Sequence, residues 1–400
     1  MIVDKAYKTE LQINNKQSSY FEECAGLARF VYNWALDYWI EEHKEGNKRT
    51  GWMKLGTELT KQKQSEFSWM YKYSNWIRTY ALKNCDQAYQ NFFRNVKNGK
   101  TPGFPKFKSR KTAPKKFTIN GQTIKITETK IRLPIIGWIC MKEHGYIPVN
   151  KKVLSATISE KNGRWYISVL VEETLEQAPK PEKIIGVDLG IKHLAVTSEG
   201  VYYENPKSLY KQEKKLKRLD RKISRKVKGS KNREKAKLIR AKAYEKVARI
   251  REHSLHCITT ELARTKSIIV VEDLNVSGMQ KNHHLAKAIS DASFAEFRRM
   301  LEYKCNWYGS ELIVIDRFFP SSKTCSNCGA IMSDLKLSDR VYKCSDCGFE
   351  IDRDLNAAIN LKNRAKHAQI NACGEDNVRP VDSLWAASLK QEASCEVCYA

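Results

Sequence analysis

The spacing of apolar residues changes several times along the chain, and each change marks a segment. Residues 5–13 alternate loosely, as one strand would. From 18 to 95 the period lengthens. Phe30, Val31, Trp34, Tyr38 and Trp39 recur at helical spacing, and so do Trp76, Tyr80, Leu82, Tyr89, Phe92 and Phe93. These stripes predict aromatic-rich helices that turn their rings into a core. The break at 100–110, KTPGFPKFKSR, has Pro102, Gly103 and Pro105 against regular structure and alternates basic with aromatic side chains. Such a loop can hold a phosphate backbone and stack bases, or serve only as a solvated connection. From 117 to 173 short β-like runs at 124–126, 130–133, 153–158 and 165–171 are bounded by Gly, Pro and Asn, which predicts a small barrel or sandwich completed by the N-terminal strand.

Pro179-Lys-Pro181 marks a boundary. Beyond it, IIGVDLG and IKHLAV are two apolar runs about a tight turn, the pattern of a hairpin in a buried sheet. Residues 207–263 read as a long helical hairpin. Leu216, Leu219, Ile223 and Val227 line one arm, 229–232 (GSKN) make the turn, and Val247, Ile250 and Leu255 line the return. A buried strand at 267–271, a helix at 294–303 and a strand at 312–315 follow. The tail after 371 loses the pattern and is expected to be disordered.

Charge adds what periodicity cannot. The chain of 400 residues carries 71 Lys+Arg against 45 Asp+Glu, a net +26, spread through its body. That points to a polyphosphate partner and away from a lipid-binding tail. The outer face of the 207–263 hairpin is overwhelmingly of one sign, so salt-bridge lacing does not account for it and nucleic-acid contact does. No secretory signal opens the sequence and no apolar run approaches spanning length, so a cytoplasmic, nucleoid-associated protein with no membrane partner is expected.

In a reducing compartment the 12 cysteines read as thiols or metal ligands. Cys325-Ser-Asn-Cys328 and Cys344-Ser-Asp-Cys347 are two chelating turns fifteen residues apart, each followed by a glycine, Gly329 and Gly348, that permits left-handed backbone. Four thiolates close the coordination shell of one Zn²⁺, so the predicted site is structural. Cys395-x-x-Cys398 lacks a second pair and reads as incidental, as do Cys24, Cys85, Cys140, Cys257, Cys305 and Cys373.

Acidic residues in apolar surroundings are the remaining chemistry. Asp188 sits in the apolar run IIGVDLG, Glu272 ends the strand IIVV, and Asp352 and Asp354 open a helix, DLNAAINLK. Singly, each has an ordinary role: a turn former at Asp188, a loop cap at Glu272, an N-cap or first-turn acid at Asp354. Together they are two strand acids and one helix acid in strand–hairpin–strand–helix order, the order of an RNase H-like sheet whose first and fourth strands are neighbours. Hard oxygen ligands so grouped suit a pair of Mg²⁺ ions about 3.5–4 Å apart, the arrangement of phosphodiester hydrolysis.

IIGVDLGIKHLAV, IVVEDLNVSGM, FPSSKTCSNCG and CGFEIDRDLNAAINL resemble the three RuvC-like segments and inserted zinc ribbon of the TnpB family of transposon-encoded proteins, which is also similar to compact type V CRISPR effectors. GFPKFKSR and GSKNREKA resemble family segments too, so the likeness spans nearly the whole chain. The resemblance implies an α+β multidomain fold: a wedge β-barrel from 1–17 and 113–180, a helical recognition domain at 18–112, a RuvC-like nuclease core at 181–320 and 351–370, and a zinc-ribbon lid at 321–350. It implies an RNA-guided DNA endonuclease, monomeric in a ribonucleoprotein, that uses guide RNA to find double-stranded DNA next to a short adjacent motif. By position the catalytic and Mg²⁺-binding residues would be Asp188, Glu272 and Asp354, with Asp352 the substitute for the third; Arg78, Lys83, Lys106, Lys108 and Arg110 would contact nucleic acid. A catalytically silent guided DNA binder and a DNA-strand transferase are the alternatives.

Overall fold

The computed structural model describes residues 1–101, 103–177, 179–180, 183–336 and 339–370 (side chains to 366), with the backbone of 379–380. The predicted disordered tail, with Cys373 and the Cys395/Cys398 pair, otherwise lies outside the described residues, as do Pro102 and Pro181. The chain divides into two compact units: Ile2–Glu173, and a second that begins at Thr174 and carries Met1.

In the first unit β1 (Ile2–Gln12) runs into α1 (Asn15–Lys44) through a capping box. Asn14 Oδ1 accepts from the Gln17 N–H, and Gln17 Oε1 accepts from the Asn14 N–H. Two more helices follow, α2 (Trp52–Gln64) and α3 (Asn75–Lys97). Then come β2 (Lys116–Asn120), β3 (Lys125–Ile126), β4 (Lys130–Leu133), β5 (Gly137–Met141), β6 (Lys152–Lys161) and β7 (Arg164–Thr174). Seven strands form one sheet in the order β2-β6-β7-β1-β5-β4-β3, with the N-terminal strand at its centre. The helices pack onto this sheet in a shared core, where Phe21 of α1 lies 5.2 Å from Trp165 and 5.6 Å from Phe117. Val31, Trp39, Leu82 and Tyr89 of the aromatic stripes are buried there, while Phe93 stays exposed.

The predicted barrel is corrected to an open sheet: among the described residues no ladder joins the edge strands β2 and β3. These two are consecutive in the chain, linked through a 3-10 turn, Gly121–Thr123. Gly121 is pressed against β6 so tightly that a Cβ would stand 1.9 Å from the Val153 carbonyl oxygen. Anchored there, the chain bends away, and the two-residue β3 pairs only with β4.

The second unit holds the other sheet, β10-β9-β8-β11-β12-β15. Its elements are β8 (Ile184–Asp188), β9 (His193–Thr197), β10 (Tyr202–Glu204), α4 (Ser208–Ser224), α5 (Lys231–Thr265), β11 (Ile268–Glu272), α6 (Val276–Met279), α7 (Ala286–Ala292), α8 (Phe294–Tyr308), β12 (Glu311–Ile315), β13 (Val341–Lys343), β14 (Glu350–Asp352), α9 (Arg353–Ile370) and β15 (Arg379–Pro380). β8, β9 and β10 are an antiparallel meander, whereas β11 lies parallel to both β8 and β12. Parallel neighbours need long crossovers. The hairpin α4–α5 supplies the one between β10 and β11, and α6–α8 the next. Gly229 turns the hairpin at φ 85°, and Ser230 caps α5 by accepting from the Arg233 N–H at 3.2 Å.

Candidate active site and zinc centre

Two strands and one helix bring the acids together. The parallel ladder pairs Val187 with Val271, so Asp188 and Glu272, the next residue on each strand, end neighbouring strands at the same level. Helix α9 reaches them because β8 has a glycine where the helix crosses. A Cβ on Gly186 would lie 2.0 Å from the Ala358 carbonyl oxygen and 2.7 Å from the Lys362 nitrogen. With α9 seated this closely, Asp354 in its first turn points Oδ2 to within 4.0 Å of where a Cβ on Gly190 would be.

Burial first, and then the charges of Asp354 and Glu272, push the Asp188 carboxyl up to about 7. Burial also raises Glu272, against which the Ser321 hydroxyl, 3.5 Å from Oε2, works in the opposite direction. Three half-buried carboxylates that repel one another are a cost that bound cations remove. Arg353 sets its guanidinium on Asp354 Oδ1 at 3.2 Å, which offsets part of that repulsion. Asp352 is otherwise engaged: its Oδ1 accepts from the Asp354 and Leu355 N–H groups at 3.0 and 3.1 Å, the N-cap of α9. Next to Glu272, Asp273 accepts from Arg298 at 2.6 Å and from Arg317. Burial works to raise Asp273, but these two guanidiniums outweigh it and hold the carboxyl below its usual range. A small cleft opens beside Glu272, lined by Leu189, Phe294, Arg298 and Arg299 among others. The carboxylate oxygens are spread wider than a one-ion cage. Among the described residues only the four cysteines bring three or more ligand atoms within 4.8 Å of one another.

Those cysteines fit zinc. Cys325 and Cys347 sulfurs are 3.7 Å apart and Cys328 and Cys344 sulfurs 3.6 Å. A tetrahedron with Zn–S bonds of about 2.3 Å has edges of about 3.8 Å. Gly329 (φ 82°) and Gly348 (φ 69°) close the two knuckles in the left-handed region. The Phe349 N–H and the Asn327 amide favour the thiolate at Cys347 and lower it to about 6. The first knuckle is tied to α9 by two asparagines. Asn356 accepts from the Ser326 N–H at 3.0 Å and donates to the Thr324 carbonyl at 2.7 Å; Asn360 donates to the Ser321 and Thr324 carbonyls at 2.8 and 2.7 Å. Sequence reading missed this pair, although two asparagines four apart amid Ala357, Ala358 and Leu361 on the apolar face of a helix are a legible signal.

The residues expected to touch nucleic acid lie in the first unit and have different surroundings. Arg78 is buried, with Asn75 Oδ1 at 2.8 Å. Lys83 lies over the Trp52 ring at 4.8 Å. Lys106 and Arg110 are exposed. Lys108 is half-buried, its ammonium 3.2 Å from the Tyr32 ring centroid and its backbone clasped by the Asn33 amide at 2.8 and 3.0 Å. Burial lowers that ammonium to about 8.

The end of a mixed sheet thus carries two strand acids with one helix acid beside them, next to a four-cysteine knuckle pair whose spacing fits zinc. Comparison with known proteins supplies the family. The family described as "Probable transposase" matches residues 166–283, a "Cas12f1-like, TNB domain" matches 294–361, and a "Helix-turn-helix domain" matches 1–48. In this structure the last of these spans is β1 and the single long helix α1. A protein of Streptomyces pristinaespiralis named "Putative RNA-guided DNA endonuclease" is 36% identical over 98% of this chain and 96% of its own length. The Escherichia coli "Putative RNA-guided DNA endonuclease InsQ" is 32% identical over 93% and 94%. The structure titled "Cryo-EM structure of the Cas12f1-sgRNA-target DNA complex" superposes with a TM-score of 0.55 at 17% identity, covering 88% of this chain and 84% of that one, a likeness of fold. The chain belongs to the TnpB family of RNA-guided DNA endonucleases.

Proposed function

We propose that this protein is an RNA-guided endonuclease that cuts double-stranded DNA beside a short adjacent motif, with Asp188, Glu272 and Asp354 holding two Mg²⁺ ions in an RNase H-like, RuvC-like core. The observation that carries the chemistry is the meeting of these three acids, from segments up to 166 residues apart in sequence, at the C-terminal ends of the two central strands of one sheet. Their spread suits a pair of ions better than one, since paired ions about 3.5–4 Å apart need ligands on both flanks. Divalent cations there would activate water and stabilise the charge developing on the scissile phosphate. Asp188 and Glu272 are fixed by the ladder and Asp354 by the seat of α9, so the ligands are held on rigid elements before substrate arrives. Arg298 and Arg299 line the adjoining cleft, but Arg298 is paired with Asp273 and Glu302 and Arg299 with Glu296, so bound cations rather than these arginines would compensate a phosphodiester strand there.

The four cysteines would hold one structural Zn²⁺ in the 321–350 ribbon, which by family likeness covers the cleft as a lid. The first unit would bind guide RNA through its sheet (1–17 and 113–180) and the DNA motif through its helices (18–112), with exposed Lys106 and Arg110 better placed for phosphate than Arg78 or Lys108. Sequence selection would then rest on base pairing.

Protein co-expressed with its guide RNA is expected to cut a matched plasmid in Mg²⁺ and not in EDTA. Asp188→Ala is expected to abolish cutting while guide-dependent DNA binding persists. Undiminished cleavage by Asp188→Ala would overturn the assignment, and strand joining that survives RNase treatment would favour the transferase reading.

A further inference from the structure

Asn356 and Asn360 are almost completely buried, 0% and 5% exposed. Between them they make four hydrogen bonds to the backbone of Ser321, Thr324 and Ser326, the stretch that enters the first cysteine knuckle. Each end of that stretch leads to a metal-type site. At its far end is Cys325, itself buried. At its near end the Ser321 hydroxyl donates to Glu272 Oε2 at 3.5 Å. Asn356 stands two residues after Asp354 in the first turns of the same helix. One short backbone segment is therefore fastened on one side to the helix that carries Asp354 and on the other to Glu272, and its continuation is the knuckle.

From this we infer that Asn356 and Asn360 are positioning residues that couple the cysteine site to the carboxylate site, so that zinc in the knuckle tightens divalent-cation binding by the acids. The inference rests on the proposed Mg²⁺ site and gives the knuckle a second role besides its own folding. Buried amides bonded to backbone carbonyls hold their geometry firmly, because an unmade bond there costs the full desolvation of the group. When zinc fixes Cys325, residues 321–326 are fixed with it, and the asparagines carry that order to α9 while Ser321 carries it to Glu272. Residues one layer behind metal ligands commonly change metal affinity 10–100-fold. Coupling between two sites is reciprocal, so cation binding at the acids should in turn tighten zinc binding by the same factor.

Calorimetric Mn²⁺ titration of the full-length ribonucleoprotein, with zinc content measured in parallel, tests this. Four samples are needed: parent and Asn356→Leu, each zinc-loaded and zinc-stripped by chelator. Removing zinc from the parent is expected to weaken Mn²⁺ binding about tenfold. Asn356→Leu with zinc retained should show a similar loss, and stripping that variant should add little, as expected for changes acting through one link. Ser321→Ala, a milder change that leaves the asparagine bonds in place, should give part of the effect with an unchanged Tm. Equal Mn²⁺ affinity in all four samples overturns the coupling while leaving the metal site intact. Absence of Mn²⁺ binding by the zinc-loaded parent overturns the metal site itself, and the coupling with it. A variant that loses Tm but keeps parental Mn²⁺ affinity assigns the asparagines to folding alone and also overturns the coupling.

Discussion

Asp188 shows how one residue can carry a conflict that only ligands resolve. In the metal-free fold its carboxyl is held at about 7, against an ordinary value of 3.8. Between those values the folded chain keeps a proton that the unfolded chain has lost. Stability from this group therefore falls as pH rises from about 4, and the loss is complete above about 7. Below about 4 both states are protonated and the contribution vanishes. Asp188→Asn removes the dependence. In EDTA its Tm should match the parent near pH 4 and exceed it by several degrees at pH 8; a gap that does not widen with pH would mean the site is less desolvated than its geometry implies. At this scale the sequence was informative wherever a polar residue interrupts an apolar run, as at Asp188 and Glu272. It could not separate Asp352 from Asp354 by spacing, because both open the same helix. Family position favours Asp354, and the fold gives the two different surroundings: cap hydrogen bonds engage Asp352 Oδ1, and Arg353 sits on Asp354. Lys108 was equally opaque: basic residues alternating in a loop look alike until one folds over a tyrosine ring.

At the scale of elements, the contact between α9 and β8 decides whether the third acid arrives. Gly186→Ala must push backbone against backbone, so it should lower stability by about 1–3 kcal/mol, measured by denaturant unfolding, and reduce DNA cutting sharply even though no acid has changed. The cysteine ribbon depends on its metal in a more direct way. Its core is little more than Cys325, Tyr342 and Cys344 with a few half-buried neighbours, too small to stand alone. One zinc per chain is expected by metal analysis, and Cys325→Ser should lose it and expose 321–350 to protease. Elements with a strong single period were legible beforehand: the α4–α5 hairpin, β8, β11 and the knuckles. β5 was not, because buried Ile139 and Met141 alternate with Trp138 and Cys140, so no polar position marks the period. The open sheet was also invisible, since closure depends on Gly121 being pinned to β6, a contact between segments rather than a property of either.

For the molecule as a whole the net charge of +26 sets the terms of association. Binding of guide RNA should be strongly salt-dependent, with log K falling against log salt with a slope of about −6 or steeper. A shallow slope in a filter-binding or fluorescence titration would mean that most of this charge faces away from nucleic acid. No helix among the described residues is long and apolar enough to cross a membrane. The two units divide the sequence between Glu173 and Thr174, close to the proline-marked boundary, and Asp188, Glu272, Asp354 and the four knuckle cysteines all belong to the second.

The ladder between β8 and β11 has one more consequence. Asp188 and Glu272 are locked side by side by a few backbone pairs, while the tip of the basic helical arm spliced between them, around Gly229, is mostly exposed and takes no part in that ladder. That tip can therefore be lengthened or trimmed at the loop-closure cost of a fraction of a kilocalorie, whereas the return helix from Leu255 onward, which holds the buried Lys304 ammonium of α8, cannot. Remodelling at that tip would leave the two blades of the site where they stand.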